Sequence, residues 1–224
     1  MFSQHEKQTL KKRIYKVKLE LPPPATVYSD EPDLFTKNDL YYERISSGSL
    51  RLRVGGAYLF TVQSWFNRVF TLAHELAHSI DPCELRNIHF SLPAYDRLSA
   101  CLMSQKIISV TKNRSECAEN DQLSETFADW IAVQITSKAL KKFATEFDHE
   151  QILHAVTNSV KDLCEQEEFL NEMDNTLHPR PEIRIEKVFG LNPIIQEILG
   201  CQPSTSAEVY CDFNWTSKGN EHAL

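Results

Sequence analysis

Two histidines with a glutamate between them carry the clearest chemical signal in this sequence. His74, Glu75 and His78 form the pattern His-Glu-x-x-His within a largely apolar run. On an α-helix, side chains four positions apart project from one face, so both imidazoles could bind the same metal ion. Zinc in catalytic sites takes three protein ligands and keeps a fourth position for water, and a neighbouring carboxylate can accept a proton from that water. The pattern therefore predicts zinc hydrolase chemistry; the alternative is two histidines that fall at this spacing by chance.

The residues around the motif predict the helix that must carry it. Ser64 is a suitable N-cap, and Asp81-Pro82 ends the helix because proline cannot continue it. Apolar residues recur at helical spacing along one side of the segment: Phe66, Val69, Phe70, Ala73, Leu76, Ala77 and Ile80. The helix is thus expected to have one face in a core and another at a site.

A convincing β pattern occurs only in the region before this helix. Three short strands are predicted at 40–45, 50–54 and 57–62, with turns at 46–49 and at Gly55-Gly56. A sheet edge beside the motif helix would let an extended peptide add as a further strand. The alternative is a hairpin that only covers the core.

Most of the remaining chain predicts helices, so the expected fold class is α+β and predominantly helical. After a loop at 83–92, helical patterns cover 94–110, 122–142, 148–173, 182–189 and 193–199. Residues 1–39 are predicted to form an N-terminal arm or extension, with a weakly strand-like stretch at 14–21 before three prolines. Residues 40–224 are expected to form a single compact domain.

The third metal ligand must come from elsewhere in the chain, and two known arrangements fail. Asp81 and Glu84 occupy the positions where a metzincin pattern requires Gly and then His or Asp. Arg97 and Leu98 occupy the positions where a thermolysin-like spacing would place a glutamate. The ligand is therefore sought further along the chain.

Glu125 and Asp129 are the favoured candidates for completing the site. They lie four residues apart on a mostly apolar predicted helix, so both carboxylates are costly to bury unless a positive group receives them. Zinc could receive Glu125, and Asp129 could accept the N–H of a ligand imidazole. The alternative is an exposed acidic pair near a helix N-terminus, where the helix dipole favours acids.

Composition narrows the class of protein. The net charge of -7 argues against a general nucleic-acid binder, and no apolar run approaches the length of a membrane span. The polar start contains no secretory signal pattern, so a cytoplasmic location is the default expectation, with an exported form left open. The six cysteines contain no Cys-x-x-Cys pair, and their number alone does not decide between disulfides and thiols.

With these segments in view, the chain resembles the catalytic core of the neprilysin-like zinc metallopeptidases. That family pairs His-Glu-x-x-His, followed by an aspartate at the offset of Asp81, with Glu-x-x-x-Asp, here residues 125–129. A third shared marker is a histidine and an arginine six residues apart with proline between them, here His178 and Arg184. The resemblance covers about residues 40–215.

The resemblance implies a thermolysin-like zincin catalytic lobe with a small sheet beside the zinc helix. It also assigns roles: one zinc ion on His74, His78 and Glu125, Glu75 as general base, Asp129 orienting a ligand histidine, His178 donating to the oxyanion, and Arg184 holding a substrate carbonyl. Asp81 would support the site or cap local backbone. A disulfide between Cys101 and Cys211 is a further expectation from the resemblance.

The chain also departs from these relatives, which are much longer and carry a large helical lobe over the active site. Their Asn-Ala-(Tyr/Phe) substrate element has no clear copy here, and the nearest candidate is Asn38. The expected function is a zinc-dependent endopeptidase acting on peptides or unfolded proteins, with no nucleic-acid or membrane partner. Two alternatives stay open: a catalytically silent zinc-containing module of the same fold that binds peptides or proteins, and a zinc hydrolase acting on another acyl bond.

Overall fold

A computed structural model of the chain describes residues 2–22, 39–45, 48–60, 64–105, 117, 122–165, 178–201 and 210–213. For residue 159 and residues 161–165 it describes the backbone alone. The candidate substrate residue Asn38 lies outside the described residues. So do the ends of several predicted elements, at 61–62, 106–110 and 166–173.

Helices make up most of the described chain. They are α1 (Gln4–Ile14), α2 (Gly56–Phe60), α3 (Trp65–Ala77), α4 (Pro82–Asn87), α5 (Pro93–Ser104), α6 (Gln122–Phe143), α7 (His149–Glu165), α8 (Pro181–Ile183) and α9 (Pro193–Leu199). A 3-10 turn at His78–Ile80 extends α3, and a π-helix at Arg184–Gly190 follows α8 directly. Among the described helices, none combines the length and apolar character that crossing a membrane requires.

A small sheet accompanies the helices, as the α+β prediction requires. Its strands are β1 (Lys18–Glu20), β2 (Leu40–Arg44) and β3 (Leu50–Val54), in the order β1-β3-β2. β1 runs parallel to β3, and β2 runs antiparallel to it with Tyr42 opposite Leu52. Within the described sheet β2 is therefore an edge strand, and Leu40 on it packs in a small cluster with Leu76 of α3.

Two of the secondary-structure predictions are wrong. The residues predicted as a third strand form α2 instead, because a short apolar run without alternation fits a helix as well as a strand. Part of the predicted loop at 83–92 is α4, which begins at Pro82. The Asp81 carboxylate accepts the backbone N–H of Glu84 at 2.7 Å and so caps α4, with proline in the first helical position.

The N-terminal residues contact the rest of the fold through both α1 and β1. The parallel pairing with β3 brings β1 into the sheet. Arg13 near the end of α1 donates from Nε to the carbonyl of Ser79 and from Nη2 to the Glu84 carboxylate, both at 2.6 Å. The described part of the predicted arm is thus tied to α4, while the domain boundary at residue 39 stays a prediction.

The main core lies between α3, α5, α6 and the C-terminal helices. Phe70 of α3 and Phe127 of α6 are among its buried residues, and Phe127 is fully buried. The predicted disulfide between Cys101 and Cys211 is present and joins α5 to the C-terminal segment. A second disulfide, Cys83–Cys117, is a pairing that the sequence left open. The core fixes α3 against α6, and these two helices carry the candidate site.

Candidate metal centre

α3 places its two histidines on the face that meets α6. Ser64 caps the helix by accepting the N–H of Asn67, as predicted, and α3 continues regularly to Ala77. His74 is 6% exposed, and the Nε2 atoms of His74 and His78 lie 3.3 Å apart. Both rings therefore converge on one point, as helical spacing predicts.

α6 brings the third donor to the same point. Glu125 Oε2 lies 3.2 Å from His74 Nε2 and 3.5 Å from His78 Nε2. A tetrahedral ion bound at about 2.0–2.1 Å by nitrogen and oxygen needs its donors about 3.3 Å apart. The three observed separations match this value, so the His74, His78 and Glu125 group could hold a metal ion.

Hydrogen bonds at the opposite ring nitrogens decide which atoms can bind a metal. His74 Nδ1 lies 2.9 Å from Asp129 Oδ1, and a carboxylate can only accept, so this nitrogen carries the proton. When the ring is neutral, as metal binding requires, its lone pair is therefore on Nε2, the atom that faces Glu125. The predicted orienting role of Asp129 agrees with this contact, which fixes the tautomer in the way that metal sites commonly require.

Asp129 is itself held by a buried ion pair. Arg184 donates from Nε to Asp129 Oδ2 at 2.6 Å and from Nη2 to Oδ1 at 2.8 Å, and both side chains are almost fully buried. Burial alone would raise the pKa of Asp129, but the Arg184 guanidinium and the His74 hydrogen bond hold it well below its usual range. The aspartate thus stays an anion beside His74.

The electrostatics of the metal-free site favour positive charge among the three donors. Burial would lower the histidine pKa values, but the carboxylates around the rings favour the protonated form and raise the pKa of His74 to about 9 and that of His78 to about 10. Burial would raise the pKa of Glu125, yet hydrogen bonds from His178, His74 and His78 lower it strongly. Protons on the two histidines and a bound metal cation would thus each supply the positive charge that the surrounding carboxylates favour.

Glu75 lies beside this group with its two carboxylate oxygens in different environments. The backbone N–H of Tyr42 on β2 donates to Glu75 Oε2 at 2.7 Å. The other oxygen, Oε1, lies 4.0 Å from His74 Nε2. One oxygen is thus anchored to the sheet edge while the other faces the candidate metal ligands.

The other two predicted site residues differ in exposure: His178 lies on the cavity wall, and Arg184 is buried. His178 Nε2 pairs with Glu125 Oε2 at 2.9 Å, and its ring stacks near that of His74. Arg184 is 4% exposed and is not among the residues that line the cavity. Its contact with substrate stays a prediction, while its contact with Asp129 is observed.

A cavity of about 430 Å³ opens over the group. Its wall comes from β2, α3, α4, the start of α6 and the segment before α8: Tyr41, Tyr42, His74, Glu75, His78, Asp81, Cys83, Glu84, Asn87, Ser124, Glu125 and His178. Acidic side chains and histidines dominate the wall, and no Lys or Arg is among the described residues that line it. A substrate in this cavity would reach the three donors and Glu75 together.

Sequence reasoning missed two contributors to the site. The Tyr42 N–H is a backbone group and has no sequence signature. Ser124 directly precedes Glu125, and its hydroxyl contacts both Asp81 and His78, a bridge that depends on three separate elements.

Comparison with known proteins found no match to this chain: no family model, no curated protein and no solved structure matches it.

Proposed function

We propose that this protein is a zinc-dependent endopeptidase of the neprilysin-like kind. The observation that carries the proposal is the convergence of His74 Nε2, His78 Nε2 and Glu125 Oε2 within 3.2–3.5 Å of one another. Glu75 stands next to them, with one carboxylate oxygen held by the Tyr42 N–H and the other facing His74. A metal-binding group with an adjacent carboxylate base in an accessible cavity is the arrangement that metal-assisted hydrolysis needs.

Zinc is the metal that fits this donor set best. Two imidazole nitrogens and one carboxylate form a known ligand set for catalytic zinc, and the donor separations suit a small tetrahedral ion. Hard ions such as magnesium and calcium prefer oxygen ligands in larger number. The hydrogen bond to Asp129 adds the outer support that zinc-binding histidines usually have.

Glu75 is proposed to move the proton that the reaction requires. Zinc, when bound, polarises the scissile carbonyl and increases the acidity of water in the site. The Oε1 oxygen of Glu75 accepts the proton of the attacking water, while the Tyr42 N–H keeps Oε2 in place. The same carboxylate then gives this proton to the leaving amine as the carbon–nitrogen bond breaks.

His178 is proposed to stabilise the negative charge that develops on the substrate oxygen. Its ring lies on the cavity wall next to Glu125, and its side chain is 35% exposed, so a substrate can reach it. A donor placed where charge develops can contribute about 2.7–4 kcal/mol to catalysis. This role follows the family resemblance, and its position in the wall supports it.

The edge of β2 that has no strand partner in the described sheet supports a peptide as the substrate. Successive residues of a strand direct their backbone groups to opposite edges. Tyr41 and Glu43 therefore face β3, whereas the Tyr42 N–H points away from β3 and donates to the Glu75 carboxylate. The Tyr42 carbonyl lies on the same edge, because both backbone groups of a residue in an antiparallel strand share one side. An extended peptide could donate an N–H to this carbonyl and pass across the metal-binding group, while the Tyr42 N–H stays with Glu75.

The test is zinc content measured together with digestion of an unfolded protein. Wild-type protein is compared with Glu75→Gln and with a matched control, Glu150→Gln, which alters an exposed residue in the first turn of α7. We expect one zinc per chain in all three and cleavage in wild type and control only. Cleavage should fall by at least about a hundredfold in Glu75→Gln, since that variant has no proton acceptor at the site.

Other outcomes would point elsewhere. One zinc per chain without cleavage by wild type would favour the silent binding module. Cleavage that survives in Glu75→Gln would remove Glu75 as the base. Absence of bound zinc in wild type would overturn the proposal as a whole.

A further inference from the structure

The hydroxyl of Ser124 bridges a carboxylate and a metal-binding histidine. Ser124 Oγ lies 2.6 Å from Asp81 Oδ2 and 3.1 Å from His78 Nδ1. A hydroxyl has one proton to donate, and the carboxylate can only accept it. Ser124 therefore donates to Asp81 and can only accept from His78.

This direction of hydrogen bonding fixes the state of His78. Its Nδ1 must carry the proton that Ser124 accepts, so in the neutral ring that metal binding requires the lone pair is on Nε2, which faces His74 and Glu125. Asp81 cannot replace Ser124 directly, because its Oδ2 is 3.5 Å from His78 Nδ1, beyond a good hydrogen bond. The other Asp81 oxygen is engaged by the N–H of Glu84, which restrains the carboxylate.

We propose that Ser124, oriented by Asp81, is a positioning residue for His78 and thereby sets the metal affinity of the site. This inference builds on the proposed metal centre. It also makes the two histidines unequal: His74 has a direct carboxylate partner, whereas His78 reaches its carboxylate through a neutral hydroxyl. α6 then supplies a ligand and both supports from one helix, in Ser124, Glu125 and Asp129.

The first experiment measures the zinc dissociation constant by competition with a chromophoric chelator. Ser124→Ala should raise it about 10- to 100-fold, the usual effect of removing an outer partner of a ligand. Ser124→Thr keeps the hydroxyl and should stay within about threefold of wild type. The matched control is Ser137→Ala, which removes a buried hydroxyl on the same helix that bonds to the Gln134 carbonyl.

The second experiment separates positioning from a merely structural role. Asn caps helices as well as Asp, so Asp81→Asn keeps the cap of α4 but presents an N–H₂ group to Ser124. The Ser124 hydroxyl then accepts from this amide and loses the carboxylate that directed its proton away from His78, so this proton can turn to His78 Nδ1 and the ligand tautomer is no longer enforced. Asp81→Asn should therefore weaken zinc binding clearly more when Ser124 is present than in the Ser124→Ala background. If Asp81 affected zinc binding independently of Ser124, the two effects on the free energy of zinc binding would instead be additive.

A spectroscopic measurement reports on His78 without relying on activity. The ligand-field spectrum of the cobalt-loaded protein should shift in Ser124→Ala and match wild type in Ser124→Thr and Ser137→Ala. Unchanged zinc affinity and spectrum in Ser124→Ala, or additive effects of the two substitutions, would overturn this inference. If the wild type still binds zinc and cleaves protein, such a result removes only the role of Ser124 and leaves the proposed function standing. A wild type that binds no zinc would overturn both proposals.

Discussion

Replacing Arg184 with methionine should destabilise the metal-free protein by about 3–5 kcal/mol, because a buried carboxylate loses its cation. Arg184 and Asp129 share two hydrogen bonds of 2.6 and 2.8 Å, and their side chains are only 4% and 2% exposed. Solvent therefore screens little of the interaction. The loss is a large part of the total stability of about 5–15 kcal/mol that is usual for a domain.

The assay is urea unfolding of the metal-free protein in the presence of a chelator, so that metal binding does not contribute. A matched control is Arg180→Met, which breaks an ion pair with Glu182 on the surface, where the arginine is 77% exposed. That change should cost less than about 1 kcal/mol. The double variant Arg184→Met with Asp129→Asn should be more stable than the sum of its single changes predicts, since neither charge is then left alone.

A substrate-binding role alone predicts a different result for Arg184. If the arginine only held a substrate carbonyl, its loss would raise KM and leave the free energy of unfolding unchanged. A stability loss below about 1 kcal/mol in Arg184→Met would therefore refute the argument from the buried pair. Arg184→Lys, which keeps the charge without the two-bonded geometry, should give an intermediate loss.

Two further predictions concern protons at the site. Because the pKa values of His74 and His78 are raised to about 9 and 10, their protonation stabilises the metal-free protein fully below about pH 6.5, and this stability is lost as pH rises through 9 to 10. Thermal unfolding with chelator should show a midpoint temperature that falls as pH rises through this window, and the fall should be less steep in His78→Asn. Zinc affinity should instead rise with pH, because binding displaces protons. A midpoint of the metal-free protein that rises with pH would contradict the reasoning. Tyr42→Pro removes the N–H that anchors Glu75 and should lower kcat about tenfold relative to Tyr42→Ala. Zinc content should stay unchanged, because proline is tolerated where an edge strand does not need the N–H for pairing. Equal kcat values for the two Tyr42 variants would show that the anchor is not needed.

The sequence predicted the parts of the site that depend on local spacing. A helix places residues four apart on one face, so His74 and His78 could be paired from the sequence, and the same spacing made Glu125 and Asp129 the favoured candidates for completing the site. The end of α3 could be predicted from Asp81-Pro82 for the same kind of local reason. Such patterns survive tertiary packing because they are properties of the helix itself.

The parts that the sequence did not predict depend on contacts between elements. The Tyr42 N–H could not be found, because every residue except proline has one and only the position of β2 beside α3 gives it a role. The contact between Arg184 and Asp129 spans 55 residues, so the sequence located both residues without their pairing. The short helix α2 was missed because its apolar run fits two periodicities equally well.

The position of α6 explains why one helix can support the whole group. Phe127 lies between Glu125 and Asp129 in sequence and is fully buried in the core shared with α3. The residues that pack α6 therefore alternate with those that support the metal site, so a shift of the helix would disturb both at once. Donors carried on a well-packed helix lose little freedom when a metal binds, which favours affinity and constant geometry. The same coupling implies that Ser124, Glu125 and Asp129 act as one unit, and that the effects of their substitutions will not be additive.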